Sequence, residues 1–200
     1  MKLGVLGGTF DPVHRGHLMV AEEARAELGL DEVLFVPAGD PWLKSDRTIS
    51  PAGHRVAMLR LAIAGKLYFK LSLLEIERPG PSYTVDTLAE LRRGLKAGDE
   101  IYLIMGWGSL AELPRWHQPS RVIPLCRLAV APRPGVLRPD LATLEKSIPG
   151  ISEKVVFLRA PEMDISATDI RERVRKGLPI GHLVPEAVAK YIEEHGLYRY

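Results

Sequence analysis

Near its start the chain runs from a short apolar stretch, Lys2-Leu3-Gly4-Val5-Leu6, through Gly7-Gly8-Thr9-Phe10-Asp11-Pro12-Val13-His14-Arg15-Gly16-His17 into Leu18, Ala21, Ala24 and Leu28. The first part has the length of a buried strand and the last the spacing of a helix. Such a strand, glycine turn and helix puts the turn at one end of a sheet. The paired glycines Gly7 and Gly8 permit positive φ and let a ligand lie against main-chain N–H groups. Those groups, with the positive end of a helix starting near Gly16, favour an anion, and phosphate is the natural guest. His14 and His17 stand three apart beside Gly16, so both rings face the same mouth and each offers a donor to phosphoryl oxygens.

Other readings of the stretch fit less well. A dinucleotide fingerprint needs G-x-G-x-x-G, and Gly4-x-x-Gly7-Gly8 has a different spacing. Zinc usually takes three or four protein ligands, and no Cys or Glu stands at ligand spacing from the two histidines. A packing role would call for neither the glycines nor the polar rings.

Downstream the same alternation continues. Glu32 to Val36 reads as a strand ended by Pro37 and a loop from Ala38 to Arg47; Ser50 then caps a helix with Pro51 at its first position, running through Val56, Leu59 and Ile63. A third strand covers Phe69 to Ile76 and is broken by Arg78-Pro79-Gly80-Pro81; Thr84 caps a helix from Val85 past Leu88 and Leu91 to Leu95, with Gly98 as its stop. Further strands are Ile101 to Met105, Leu125 to Ala131 and Val155 to Leu158, and the chain is helical from about Ser166. Strands alternating with helices imply an α/β, doubly wound, mostly parallel sheet flanked by helices, with ligands beyond the strands' carboxyl ends.

Composition narrows the class. Two hundred residues, 46% of them hydrophobic, suffice for one domain spanning residues 1–200 that buries roughly 70% of its unfolded surface. The single cysteine, Cys126, excludes an internal disulfide, and its apolar setting suggests a buried thiol in a reducing compartment. No apolar run approaches the ~18 residues that span a bilayer, so the chain reads as soluble and cytoplasmic, without a membrane partner. A net charge of +2, with basic residues scattered apart from Arg171, Arg173, Arg175 and Lys176, suits small anionic substrates better than nucleic acid. A homo-oligomer is compatible with the sequence, which leaves the oligomeric state open.

Three further groups carry candidate chemistry. In Ile165-Ser166-Ala167-Thr168-Asp169-Ile170-Arg171, Ser166 and Asp169 have the spacing of a capping box, which also fits an ordinary helix start. Arg171 lies one turn on, placed for a charge-assisted contact to phosphate at that helix tip. In Ser82-Tyr83-Thr84 and Leu113-Pro114-Arg115-Trp116-His117, Tyr83 and Trp116 fit core packing as well. Trp116, beside a proline and polar neighbours, also suits a flat aromatic ligand. Lys44 and Arg133 are cations near the same edge, for which surface solvation is the default reading.

The stretch Gly8-Thr9-Phe10-Asp11-Pro12-Val13-His14-x-Gly16-His17 resembles the G-x-F-x-P-x-H-x-G-H motif of the nucleotidylyltransferase superfamily, and its form is most similar to that of the bacterial nicotinate mononucleotide adenylyltransferases. Ile165 to Arg171 is similar to the family's I-S-S/A-T-x-x-R, Gly80 to Leu88 to its G-P-S-Y-T-x-D-T-L, and Leu113 to Trp116 to its L-P-x-W; Arg133-Pro134-Gly135 and Leu183 to Tyr198 extend the likeness over almost the whole chain. The resemblance implies a Rossmann-like fold and adenylyl transfer from ATP to nicotinate mononucleotide, giving deamido-NAD and pyrophosphate in NAD biosynthesis. It implies His14, His17 and Arg171 as catalytic residues, and Gly8, Thr9, Phe10, Gly16, Gly106, Ser166 and Thr168 around ATP. Lys44, Thr84, Trp116 and Arg133 would contact the mononucleotide, and Mg²⁺ would be held mainly by substrate phosphates rather than by protein ligands.

Two places depart from the family pattern. Gly106-Trp107-Gly108-Ser109-Leu110 stands where the family reads G-x-D-S-L, whose Asp takes the adenosine ribose hydroxyls, and Pro41-Trp42-Leu43-Lys44 stands where it reads P-P-H-K. Losing one charged hydrogen bond at position 108 implies ATP binding weaker by about 10- to 100-fold. The rival readings are a sibling enzyme making dephospho-coenzyme A, whose relatives carry Thr where His14 stands, and a non-catalytic nucleotide sensor, to which Gly108 lends some weight.

Overall fold

The computed structural model describes residues 1–40, 49–159, 161 and 163–199. Its sheet contains β1 (Lys2–Gly8), β2 (Glu32–Pro37), β3 (Phe69–Leu71), β4 (Glu100–Gly106), β5 (Arg127–Ala131) and β6 (Val155–Phe157). Around it lie α1 (Arg15–Leu28), α2 (Ala52–Ile63), α3 (Leu74–Glu77), α4 (Thr84–Arg93), α5 (Trp107–Glu112), α6 (Leu141–Ser147), α7 (Ala167–Arg175) and α8 (Glu186–Glu194). The strand order is β3-β2-β1-β4-β5-β6, and every pairing is parallel. The order reverses between β1 and β4, so a crevice opens beyond Gly8 and Gly106, where the two strands diverge into their loops.

Parallel strands covered on both faces need apolar residues at every position, sorted by the two-residue period. Leu6, Phe35, Tyr102, Ile104 and Ala129 enter one core cluster, with α1, α2 and α8, while Leu3, Val5, Leu103, Met105 and Leu128 enter the other, with α4 and α5. Each fully buried Leu, Ile or Phe contributes about 1.5–3 kcal/mol. The cores therefore hold the crevice walls from both sides.

Several elements differ from the sequence expectation. The third strand stops at Leu71 rather than Ile76: Ser72 N–H still donates to Phe35 O (3.0 Å), and the chain then coils into α3. Helix α2 opens one residue later than expected, with Pro51 at the N-cap and Ser50 outside it. Its buried face is Arg55, Met58, Leu59, Ala62 and Ile63, so Val56 is only half-buried and an arginine takes the interior.

Helix α4 begins at Thr84 with Tyr83 at the N-cap, so Thr84 is a first-turn residue rather than the cap. It ends at Gly94, not Gly98, because the Asp99 carboxylate accepts from Lys96 N–H (2.9 Å) and folds the following residues into a turn. Strand β5 starts at Arg127, since Leu125 N–H donates back to Val122 O (3.1 Å) and keeps that segment in a turn. Strand β6 ends at Phe157, one residue short of Leu158. Cys126 is buried, and burial pushes its thiol up to about 12. Among the described residues no helix is long and apolar enough to cross a membrane.

Candidate active site

The glycine turn works by a different device from the one its sequence suggests. Neither Gly7 nor Gly8 takes a positive φ; both are strand residues, and the left-handed residue is Phe10, at φ 51. This conformation swings the Phe10 ring back over the strand end, where a Cβ on Gly8 would lie 3.2 Å from it. Glycine at 8 therefore serves close approach rather than a special dihedral. Phe10 is 2% exposed and meets the His17 ring edge-on at 5.0 Å and Phe35 at 5.9 Å. It supports the histidine from beneath while forming part of the cleft floor.

His14 takes the N-cap place of α1 in extended backbone, and its ring stacks on that of His17 at 3.6 Å with 25° between planes. The His14 backbone N–H donates to His17 Nδ1 (3.2 Å). A ring nitrogen that accepts is unprotonated, so neutral His17 carries its proton on Nε2. His14 is 7% exposed, and its Nδ1 is sealed without a hydrogen-bond partner. Burial, reinforced by the charge of Arg133, lowers its pKa to about 4, so the ring is neutral at physiological pH. The pair thus offers neutral donors rather than two cations.

Helix α7 faces this turn. Ser166 is its N-cap, and its hydroxyl accepts from Asp169 N–H (3.0 Å), so the serine half of the capping box is formed. One turn later the Arg171 guanidinium donates to Asp11 O (2.7 Å) and Thr168 Oγ1 (3.2 Å), joining the helix to the β1–α1 loop. The N-termini of α1 and α7 therefore open on the same space, each carrying the partial positive charge of its first turn.

Beneath the loop lies a polar group that spacing alone did not assign. Asp11, 5% exposed, accepts from Tyr198 OH at Oδ1 (2.6 Å) and from Ser50 N–H at Oδ2 (3.0 Å). Arg55, 2% exposed, donates to Ser50 O (2.9 Å), Thr9 O (2.9 Å) and Ala38 O (2.8 Å). Burial lowers the Arg55 pKa, opposed by Asp11, and raises that of Tyr198 far above the phenol range, helped by the Asp11 charge. The signal for Arg55 was available. It sits at the i position of an i, i+3, i+4, i+7 apolar series, a place where a charge needs buried partners.

The opposite wall is built by the start of α4 and the turn after α5. Thr84 and Trp116 are both half-buried there, Trp116 with its back against the second core cluster, and Tyr83 stacks on His117 at 4.0 Å. Trp116 is thus both a packed aromatic and a cleft wall. Gly106 caps α5, and a Cβ on Gly108 would meet nothing within 4 Å. Arg133, at the end of the residues following β5, is exposed at the rim.

All of the candidate catalytic and substrate-binding residues except Lys44 line one cleft of about 810 Å³. Lys44, with the departures at Trp42 and Leu43, lies outside the described residues. A separate apolar depression of about 370 Å³ between α2 and α8 contains none of them.

Comparison with known proteins agrees with this geometry. The cytidylyltransferase-like family profile matches residues 5–173. A protein of Dehalococcoides mccartyi named probable nicotinate-nucleotide adenylyltransferase is 51% identical over 99% of this chain and 97% of its own length. One of the same name from Roseiflexus is 48% identical over 98% of each. In fold, the chain is similar to the Plasmodium falciparum nicotinic acid mononucleotide adenylyltransferase solved with NaAD, with TM-score 0.78, 19% identity, and 98% and 97% of the two chains covered. With its parallel sheet, its motif loop at the switch point and full-length identity near one half, the chain belongs to the nicotinate-nucleotide adenylyltransferases of the cytidylyltransferase-like family.

Proposed function

We propose that this chain joins nicotinate mononucleotide to ATP. A phosphate oxygen of the mononucleotide attacks the α-phosphorus, the bond to the bridging oxygen breaks, and deamido-NAD and pyrophosphate result. The observation that carries the reading is the shared cleft: the histidine pair, the Ser166–Arg171 helix tip and the Thr84–Trp116 wall all line it. Full-length identity to relatives of that name supports it.

The chemistry asks for alignment and charge stabilisation more than for a proton acceptor, because the attacking phosphate is already anionic and pyrophosphate leaves as an anion. Neutral His17, donating through Nε2, and His14 would stabilise charge on the α-phosphate. Ser166, Thr168, Arg171 and the α7 N-terminus would hold the β and γ groups, with Gly8, Thr9 and Gly16 leaving room for the chain of phosphates. Gly106 would border the adenosine half. Thr84 and Trp116 would seat the pyridine mononucleotide, with Arg133 and Lys44 adding positive charge. Mg²⁺ would enter with the triphosphate, as substrate Mg-ATP, where it neutralises phosphate charge. The reading places one domain in the cytoplasm, supported by a lone cysteine that is buried.

The test is pyrophosphate release from Mg-ATP with nicotinate mononucleotide, nicotinamide mononucleotide or pantetheine phosphate as acceptor. Release with a pyridine mononucleotide, and most with the acid form, is expected. Release only with pantetheine phosphate would move the chain to the sibling reaction. No release with any acceptor would favour a nucleotide sensor.

A further inference from the structure

The wall that carries Thr84 has a buried carboxylate at its centre that the mechanism above does not use. Glu75, in α3, is 8% exposed and borders the cleft with Ser82, Thr84 and Thr87. One hydrogen-bond relay ends on it: Arg78 donates to Thr87 Oγ1 (2.8 Å), and Thr87 donates its proton to Glu75 Oε1 (2.6 Å). Beside it, Ser82 Oγ accepts the N–H groups of Gly39 (3.0 Å) and Asp40 (3.2 Å), tying that turn to the start of α4.

Arg78 can only donate, so the Thr87 hydroxyl passes its single proton on, and Glu75 Oε1 at 2.6 Å is a nearer acceptor than Tyr83 O at 3.3 Å. The four segments are also locked by shape: a Cβ on Gly39 would stand 2.0 Å from Glu75 O, so the turn after β2 rests directly on the α3 backbone. Ser82 N–H closes the loop by donating to Asp40 O (2.9 Å).

We infer that Glu75 is the positioning residue of the mononucleotide end, clamping the Gly39–Asp40 turn and the first turn of α4 so that Thr84 faces the cleft at a fixed distance from the phosphate loop. The inference rests on the proposed placement of the mononucleotide against Thr84 and Trp116. Burial pushes the Glu75 carboxyl above its usual range, while Thr87, Arg78 and Ser82 pull it back.

The test is steady-state kinetics of Glu75→Gln with both substrates varied, alongside its thermal transition. The amide keeps the size but replaces the carboxylate on which the Arg78–Thr87 relay ends. The expected result is a KM for nicotinate mononucleotide raised by about 10-fold or more, with the KM for ATP within about 2-fold, a split that general loosening of the fold would not produce. Ser82→Ala, which takes the acceptor from the Gly39 and Asp40 N–H groups and leaves the carboxylate, should shift the same KM in the same direction by less, and it decides the matter if Glu75→Gln does not fold. Both KM values unchanged in the folded variants would overturn the clamp and leave the function intact. A selective rise in the KM for ATP would instead show that the two ends of the cleft are exchanged, overturning the substrate placement itself.

Discussion

The two histidines differ in what they ask of the protein. His17 is held by a backbone donor on one side and by Phe10 below, so its Nε2–H is aimed before any substrate arrives. Removing one preorganised donor costs about 10²–10³ in rate. His17→Ala should lower kcat by that factor with the thermal transition preserved, and near-normal turnover would refute its role. His14 carries a pH signature. Its folded pKa, about 4, is depressed from 6.5, so on acidification the unfolded chain takes a proton first. Its contribution is complete above about pH 6.5 and is lost as the pH falls toward 4, amounting to roughly 3 kcal/mol. Denaturant unfolding at pH 7 and 4.5 should show a larger loss for the native chain than for His14→Gln, by about 2–3 kcal/mol; parallel losses would contradict it. The pairing itself was legible from sequence. The positive φ of Phe10 was not, because nothing in the spacing distinguishes a turn made by glycine from one that glycine only makes room for.

At the level of elements, the cleft is held by pieces that meet only through tertiary packing. Tyr198 lies near the chain terminus, yet its hydroxyl donates to Asp11 in the first loop, 187 residues away. Tyr198→Phe leaves that carboxylate short of one donor, a loss of about 1.5–3 kcal/mol for a charged hydrogen bond. It should lower kcat by about 10-fold, and combining it with Asp11→Asn should add little to Asp11→Asn alone; additive losses would show that the two act separately. Helix α5 makes a second case. Gly108 lies in its first turn with open space around the missing Cβ, and a carboxylate there also suits the helix N-terminus. Gly108→Asp should therefore fold normally and lower the KM for ATP by about 10-fold. An unchanged value would mean that another group already makes the contact. Strong apolar periods located most helices, whereas the ends of the third strand and of α4 depended on Ser72 and Asp99 finding partners distant in sequence or local turns that periodicity does not encode.

For the molecule as a whole, the alternation of strands and helices already implied the doubly wound sheet, and the strand order 3-2-1-4-5-6 then sets the crevice between β1 and β4. Residues from the first, fourth and last parts of the sheet reach one opening because parallel strands all present their carboxyl ends on the same side. What sequence could not convey was the buried support of Asp11, Tyr198 and Glu75, whose roles exist only once distant segments are in contact. The central claim is that a single triphosphate is gripped between the imidazole pair and the α7 tip. A crystal structure with a non-hydrolysable ATP analogue tests it most directly. The account predicts the α-phosphate beside His17 Nε2 and the terminal phosphates on Ser166, Thr168 and Arg171. A nucleotide seated in the depression between α2 and α8, or with its phosphates turned away from Arg171, would contradict it.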